Sequence, residues 1–285
     1  MSKVALVTGA SSGIGAATVR RLLERGYRVY AAARRVERMA ELERLGARLI
    51  SLDVTDDASM VSAIATIEQE AGRLDLLVNN AGYGAYGALE DVPLSEGRRQ
   101  FDVNLFGLAR LCQLSIPMMR AQKSGRIINV SSMGGRFGEP FGSWYHATKF
   151  AVEGLSDSLR MELKPFGVDV VVIQPGAIRT EWNGIARDSL VETSGATAYG
   201  PYALRYATFL ADADKDGGFA SKPDVVAAAI VRAATVNRPK TRYAVGGGAG
   251  VILALVKLLP DRALDWILWR ASQSKPPQAP RSGKT

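Results

Sequence analysis

Short apolar runs bounded by glycine alternate along the chain with stretches whose apolar residues recur at helical spacing. Val4–Val7 is an uninterrupted apolar run and reads as a buried strand. The glycine-rich Thr8-Gly-Ala-Ser-Ser-Gly-Ile-Gly15 follows it, then helical spacing over 16–24, Gly26 as a C-cap, and a second strand over 28–33. Further strands are expected over 49–53, 74–78, 125–132 and 168–173, with helical stretches from Ala58 and around 101–107. Strands alternating with helices predict an α/β fold, a doubly wound parallel sheet with helices on both faces. No internal repeat and no linker interrupts the chain before residue 270, so 1–250 reads as one domain.

Near the carboxyl end the pattern changes. Val251–Val256 and Leu264–Trp269 are short apolar helical stretches flanking Leu258-Leu-Pro-Asp-Arg262. Lys257 and the Pro-Asp-Arg break leave no run of the roughly 20 apolar residues that a membrane span needs. A helical extension over 251–272 is expected, followed by a disordered basic tail over 273–285. Residues 251–285 hold six basic residues against two acidic ones, a net +4 that is half of the chain's formal +8. Such a pair of amphipathic helices can cover a pocket, join subunits, or make weak contact with an anionic membrane surface through 251–270.

Two local arrangements carry chemistry. Gly9, Gly13 and Gly15 lie between a strand and a helix, where backbone can approach a pyrophosphate and the helix amino end offers unpaired N–H groups. Tyr145 and Lys149 are four residues apart and share a face if their segment is helical. A free phenol titrates near 10; an ammonium held beside it favours the phenolate and brings it toward general acid–base work. His146 is the only histidine and sits next to Tyr145, so it points to another helix face and no Ser-His-Asp hydrolase is built here.

Thr8-Gly-x-x-x-Gly-Ile-Gly15, Asn79-Asn-Ala-Gly82, Ser132, Tyr145-x-x-x-Lys149 and Pro175-Gly176 together resemble the short-chain dehydrogenase/reductase family, in its order and at the intervals of its compact single-domain type. The resemblance covers about residues 3–182, and the carboxyl-terminal extension loosely resembles the 17β-hydroxysteroid-dehydrogenase-like branch. It implies a Rossmann-type fold and a catalytic set of Asn104, Ser132, Tyr145 and Lys149. Ser132 is preferred to Ser131 because it stands thirteen residues before Tyr145, the family interval. Asn104, in a helical stretch that it mildly disfavours, would hold a water linking the Lys149 side to solvent.

For the cofactor, the resemblance implies contacts from Gly9, Ser11, Ser12, Gly13, Ile14 and Gly15 at the pyrophosphate. Asp53 and Val54 would meet the adenine; Asn80, Ala81 and Gly82 would pack against the cofactor. Tyr145, Lys149, Pro175, Gly176, Ile178 and Thr180 would surround the nicotinamide and its ribose. The second strand ends at Ala33, with no acid before Glu37, and is followed by Arg34 and Arg35. A carboxylate there would exclude a 2′-phosphate and an arginine would accept one. NADP(H) is therefore the expected cofactor, with Arg34 as the clamp and Arg35 second.

Ser132, Met133, Gly134, Phe137, Trp144, Tyr145 and Trp182 are the expected substrate contacts, with a lid over about 182–222 that is rich in Tyr and Phe. Such a pocket suits a bulky apolar ketone or alcohol. The expected activity is NADP(H)-dependent reduction of a carbonyl; an NAD-dependent alcohol dehydrogenase and a cofactor-binding scaffold or sensor are the alternatives. A small-molecule substrate and further copies of the chain, as a homodimer or homotetramer, are the expected partners. Nucleic acid is not expected, since no recognition motif accompanies the charge. The single Cys112 and the direct start of the first strand suit a cytoplasmic setting, and no metal site is expected.

Overall fold

A computed structural model describes residues 2–215, 218–274 and 276. Apart from residues 273, 274 and 276, the expected basic tail lies outside the described residues. Seven parallel strands form one sheet in the order β3-β2-β1-β4-β5-β6-β7. They are β1 (Val4–Thr8), β2 (Arg28–Ala33), β3 (Arg48–Ser51), β4 (Leu76–Asn79), β5 (Gly125–Val130), β6 (Val168–Pro175) and β7 (Arg242–Val245). The order reverses between β1 and β4. In an open α/β sheet, the crevice beyond the carboxyl ends of those two strands is where ligands bind.

The central strands carry apolar runs because both faces are covered. Val7, Val78, Ile128 and Ile173 belong to one core, with Val19 and Leu22 of α1 (Gly13–Glu24), Leu42 of α2 (Ala40–Arg44), and Val226 and Ile230 of α9 (Pro223–Thr235). Leu6, Leu77, Ile127 and Val170 form the other. Covering it are α3 (Asp57–Ala71), α5 (Gly107–Ala121) and α6 (Ser143–Leu163). Each such side chain, fully buried, contributes about 1.5–3 kcal/mol.

Ser131 and Ser132 lie beyond β5 rather than within it, and Leu52 and Asp53 lie beyond β3. The final strand, β7, has the sequence Arg-Tyr-Ala-Val, with no apolar run to announce it; its pairing to β6 makes it a strand. The segment expected to cover the site contains α7 (Glu181–Ser194) and α8 (Gly200–Asp214). The extension forms α10 (Ala249–Leu258) and α11 (Asp261–Ser272), separated at Leu259-Pro260. Trp269 of α11 packs on Tyr202 of α8 with ring centroids 5.6 Å apart.

Candidate active site

At the crevice floor, Thr8 fastens the ends of β1 and β4. Its Oγ1 accepts the N–H groups of Asn80 and Ala81, both at 3.0 Å, while Asn80 Nδ2 donates to the Thr8 carbonyl at 3.0 Å. Gly9 takes φ +66°, where a side chain is strained, and a Cβ on Gly15 would run into the Gly9 carbonyl. Asn79 turns the other way, donating to Asn129 Oδ1 at 2.9 Å in the core beneath the site.

The amino end of α1 is open to an anion. Ser12 at its N-cap makes no side-chain capping bond and the first turn carries no acid, whereas Asp56 caps α3 by accepting the Ala58 N–H. The unpaired N–H groups of Gly13, Ile14 and Gly15 therefore fit a pyrophosphate. Opposite them, a Cβ on Gly13 would meet the Thr180 methyl at 3.1 Å. Pro175 ends β6, the Gly176 N–H donates to the Val245 carbonyl, and Ile178 bridges to Ser221.

At the far end of the crevice Arg34 Nη1 stands 4.0 Å from Asp53 Oδ2, and its side chain is 67% exposed. The expected phosphate clamp and adenine contact are thus neighbours. Val54 is buried beside them. Arg35 faces Glu181 at 3.7 Å, and Arg38, which the sequence did not single out, holds the same carboxylate at 2.5 and 3.1 Å.

Asn104 lies in a five-residue π-helical turn, Asp102–Phe106, between α4 (Leu94–Phe101) and α5. Such wide turns recur at functional sites. Its side chain accepts the Tyr83 N–H at 3.0 Å and donates to the Tyr83 carbonyl at 2.8 Å and to Thr148 Oγ1 at 3.1 Å. Asn104 and Lys149 converge on Gly82, where a Cβ would lie 3.0 Å from Asn104 Oδ1 and 3.7 Å from Lys149 Nζ.

The Ser132 hydroxyl favours the Tyr145 phenolate, yet burial outweighs it and pushes the phenol up to about 12. This corrects the expectation that Lys149 draws Tyr145 down in the protein alone. Lys149 Nζ lies 5.8 Å from the centre of the Tyr145 ring and donates to the Val130 carbonyl at 3.0 Å. Burial lowers Lys149 itself to about 8, while the charge of Glu153 raises it. At neutral pH the site therefore holds a protonated phenol beside a mostly protonated amine.

An apolar wall stands over Tyr145. Trp182 of α7 approaches with ring centroids 4.9 Å apart and Tyr86 at 5.9 Å, and Tyr206 of α8 stacks on Tyr86 at 6.3 Å. Sequence reasoning missed Tyr86, although an aromatic in the glycine-rich Tyr83–Gly87 segment just after Gly82 was the available signal. Ser132, Gly134 and Trp182 gather around Tyr145, with Met133 on the same turn. Trp144 does not join them. One residue along α6, it faces α4, with its ring against Gly97 and 6.3 Å from Phe101. Phe137 packs on His146, 6.4 Å away.

The family model for short chain dehydrogenase matches residues 3–190. The 3-ketodihydrosphingosine reductase of Bacteroides thetaiotaomicron is 36% identical over 268 residues, covering 93% of this chain and 96% of that protein. An NADPH-dependent 3-dehydrocapnine reductase of Ornithobacterium rhinotracheale is 34% identical over 281 residues, with 94% and 96% covered. Among solved structures, a short-chain dehydrogenase from Streptomyces avermitilis superposes with a TM-score of 0.76 at 36% identity, covering 89% of this chain and 91% of that one. A metagenomic short-chain oxidoreductase in complex with NADP does so at 0.67 and 29%, covering 85% and 95%.

Proposed function

The chain belongs to the short-chain dehydrogenase/reductase family of oxidoreductases, and from that premise we propose that it reduces a bulky apolar ketone with NADPH. The observation that carries this reading is a buried Tyr145 influenced by Ser132 and walled by Trp182 and Tyr86, in a chain whose α1 also presents an uncapped amino end.

The residues fit the dinucleotide from end to end. Gly9, Ser11, Ser12, Gly13, Ile14 and Gly15 would hold its pyrophosphate, and Arg34, Arg35, Asp53 and Val54 its adenosine end. Asn80, Ala81, Gly82, Lys149, Pro175, Gly176, Ile178 and Thr180 would hold its nicotinamide end. Bound there, NADPH supplies a hydride to the carbonyl carbon. Ser132 and Tyr145 donate hydrogen bonds to the carbonyl oxygen as negative charge develops on it. Tyr145 then gives that oxygen its proton, and the nearby Lys149 ammonium favours the phenolate left behind. Burial keeps the proton on the Tyr145 phenol at neutral pH, so it can serve as the donor in reduction. Trp182 and Tyr86 keep water from the reacting oxygen and present carbon surface to the substrate.

Two relatives are named for reducing 3-ketodihydrosphingosine and 3-dehydrocapnine, so a 3-oxo compound is the first substrate to try. NADPH consumption with 3-ketodihydrosphingosine, exceeding that with NADH, is the expected result. Faster turnover of alcohols with NAD would overturn the reading in favour of a dehydrogenase.

The extension adds a surface. Val251, Leu255 and Leu258 expose 69%, 39% and 79% along one stripe of α10, and Trp266 exposes 64% on α11. With the net +4 of residues 251–285, this stripe fits weak contact with anionic lipid. The full chain should then pellet with anionic vesicles at physiological salt. A chain that stays in the supernatant as a dimer, and becomes monomeric on Leu258→Asp, would give the stripe to a second copy instead.

A further inference from the structure

His146, which no step above uses, occupies a slot built for it. A Cβ on Gly134 would come within 2.8 Å of its ring, and one on Gly142 within 2.9 Å. The Glu139 N–H donates to Nε2 at 3.1 Å. A backbone N–H can only donate, so Nε2 carries no proton and the hydrogen sits on Nδ1. Nδ1–H in turn donates to the Gly134 carbonyl at 2.8 Å, and the Gly134 N–H donates to Ser132 Oγ at 3.0 Å. At the other end, Tyr206 of α8 donates through its hydroxyl to Glu139 Oε2 at 3.3 Å. Linked bonds thus run from α8, through Glu139, His146 and Gly134, to the Ser132 hydroxyl.

We propose that His146 is a positioning residue for Ser132: its neutral imidazole, bonded to Gly134 and Glu139, sets the turn that aims the serine hydroxyl and ties that aim to α8. The physical reason is directional. With Oγ accepting from the Gly134 N–H, the serine keeps its own proton to donate toward Tyr145 or a carbonyl oxygen. The ring holds the Met133–Gly135 turn, and hence that acceptor geometry, from behind. Packing against Tyr145 at 5.5 Å and Tyr86 at 6.5 Å fixes the ring plane. A side chain that filled the slot without a donor would leave the Gly134 carbonyl unpaired and the turn free to shift.

Because the chain has one histidine, nitrogen-15 labelling of histidine in the full protein gives a single imidazole signal pair. A protonated Nδ1 with an unprotonated Nε2 is expected; the opposite tautomer, or both nitrogens protonated, overturns the proposal without any substrate. The kinetic arm rests on the reductase reading and uses NADPH with 3-ketodihydrosphingosine. His146→Leu should lower kcat about 10-fold, a fraction of what loss of a whole oxyanion donor costs, and leave NADPH affinity unchanged. His146→Asn, whose amide can still reach the Gly134 carbonyl, should restore most of the rate, and His146→Gln should not. In a Ser132→Ala background, His146→Leu should have no further effect. An equal loss in both backgrounds would show that the ring acts elsewhere. Should the Leu variant fail to fold, the Asn and Gln pair and the tautomer still decide. Failure of the reductase reading would appear as a native chain that binds NADPH and turns over no ketone, while the tautomer result stands apart.

Discussion

Tyr145→Phe should lower kcat for ketone reduction about 1,000-fold, within the range set by general acid catalysis, while NADPH binds as before. The substitution removes one oxygen and keeps the ring, so the contacts with Trp182 at 4.9 Å and Tyr86 at 5.9 Å survive and the fold holds. What goes is the proton donor and the partner of Ser132. Lys149 is not placed to replace it, because its Nζ is engaged with the Val130 carbonyl and lies 5.8 Å from the ring centre. Stopped-flow turnover alongside fluorescence titration of NADPH separates the two effects. A variant that keeps a tenth of native turnover would remove Tyr145 from the donor role. Lost binding would instead mean that the hydroxyl serves the cofactor.

The second large effect is expected at the adenosine end. Arg34→Ala should weaken NADPH binding about 10- to 100-fold, the value of a charge-assisted bond to phosphate, and change NADH by less than about twofold. The three arginines of this segment are held unequally. Arg38 grips Glu181 with two bonds and Arg35 faces the same carboxylate, whereas Arg34 meets Asp53 only at 4.0 Å and is two-thirds exposed. Turning Arg34 toward a phosphate therefore costs little, since an ion pair so exposed is worth about 0–1 kcal/mol. Binding curves for both cofactors, with Arg35→Ala as the comparison, are the measurement. Equal losses for NADPH and NADH, or a loss confined to Arg35→Ala, would overturn the assignment of Arg34.

The strands that form the sheet centre were legible because burial on both faces demands apolar runs, as in Val4–Val7 and Val170–Ile173. The glycine turn and the Tyr145–Lys149 pair were legible for a related reason: each is a local arrangement fixed by spacing on one element. Properties set by contacts between distant segments were not. The protonation of Tyr145 is decided by residues 37 to 61 positions away, Tyr206 and Trp182 on one side and Tyr86 on the other, whose burial of the phenol exceeds what Ser132 returns. The wide turn at Asn104 inserts one residue into a helix without any sequence break. Trp144 was misplaced for a simpler reason. Neighbours on a helix point about 100° apart, so the argument that removed His146 from the Tyr145 face removes Trp144 as well. His146 left the face but not the site, and its bonds to Gly134 and Glu139 were invisible until the loop between them was folded.

The packing of α9 on α1 has a consequence for how the chain is made. Val226 and Ile230 close over Val19 and Leu22, and Arg21 pairs with Asp224, so the first helix is sealed by a segment some 200 residues later. The central strand β1 likewise waits for β4 to cover its second edge. During synthesis at roughly 5–20 residues per second, that first unit stays partly unsealed for about ten seconds or more, which is when sticky intermediates form. A ribosome stalled before Pro223 would release a chain that already holds Tyr145, Lys149 and the glycine turn, yet shows solvent the apolar face of α1. Such a fragment belongs to chaperones and proteases rather than to catalysis.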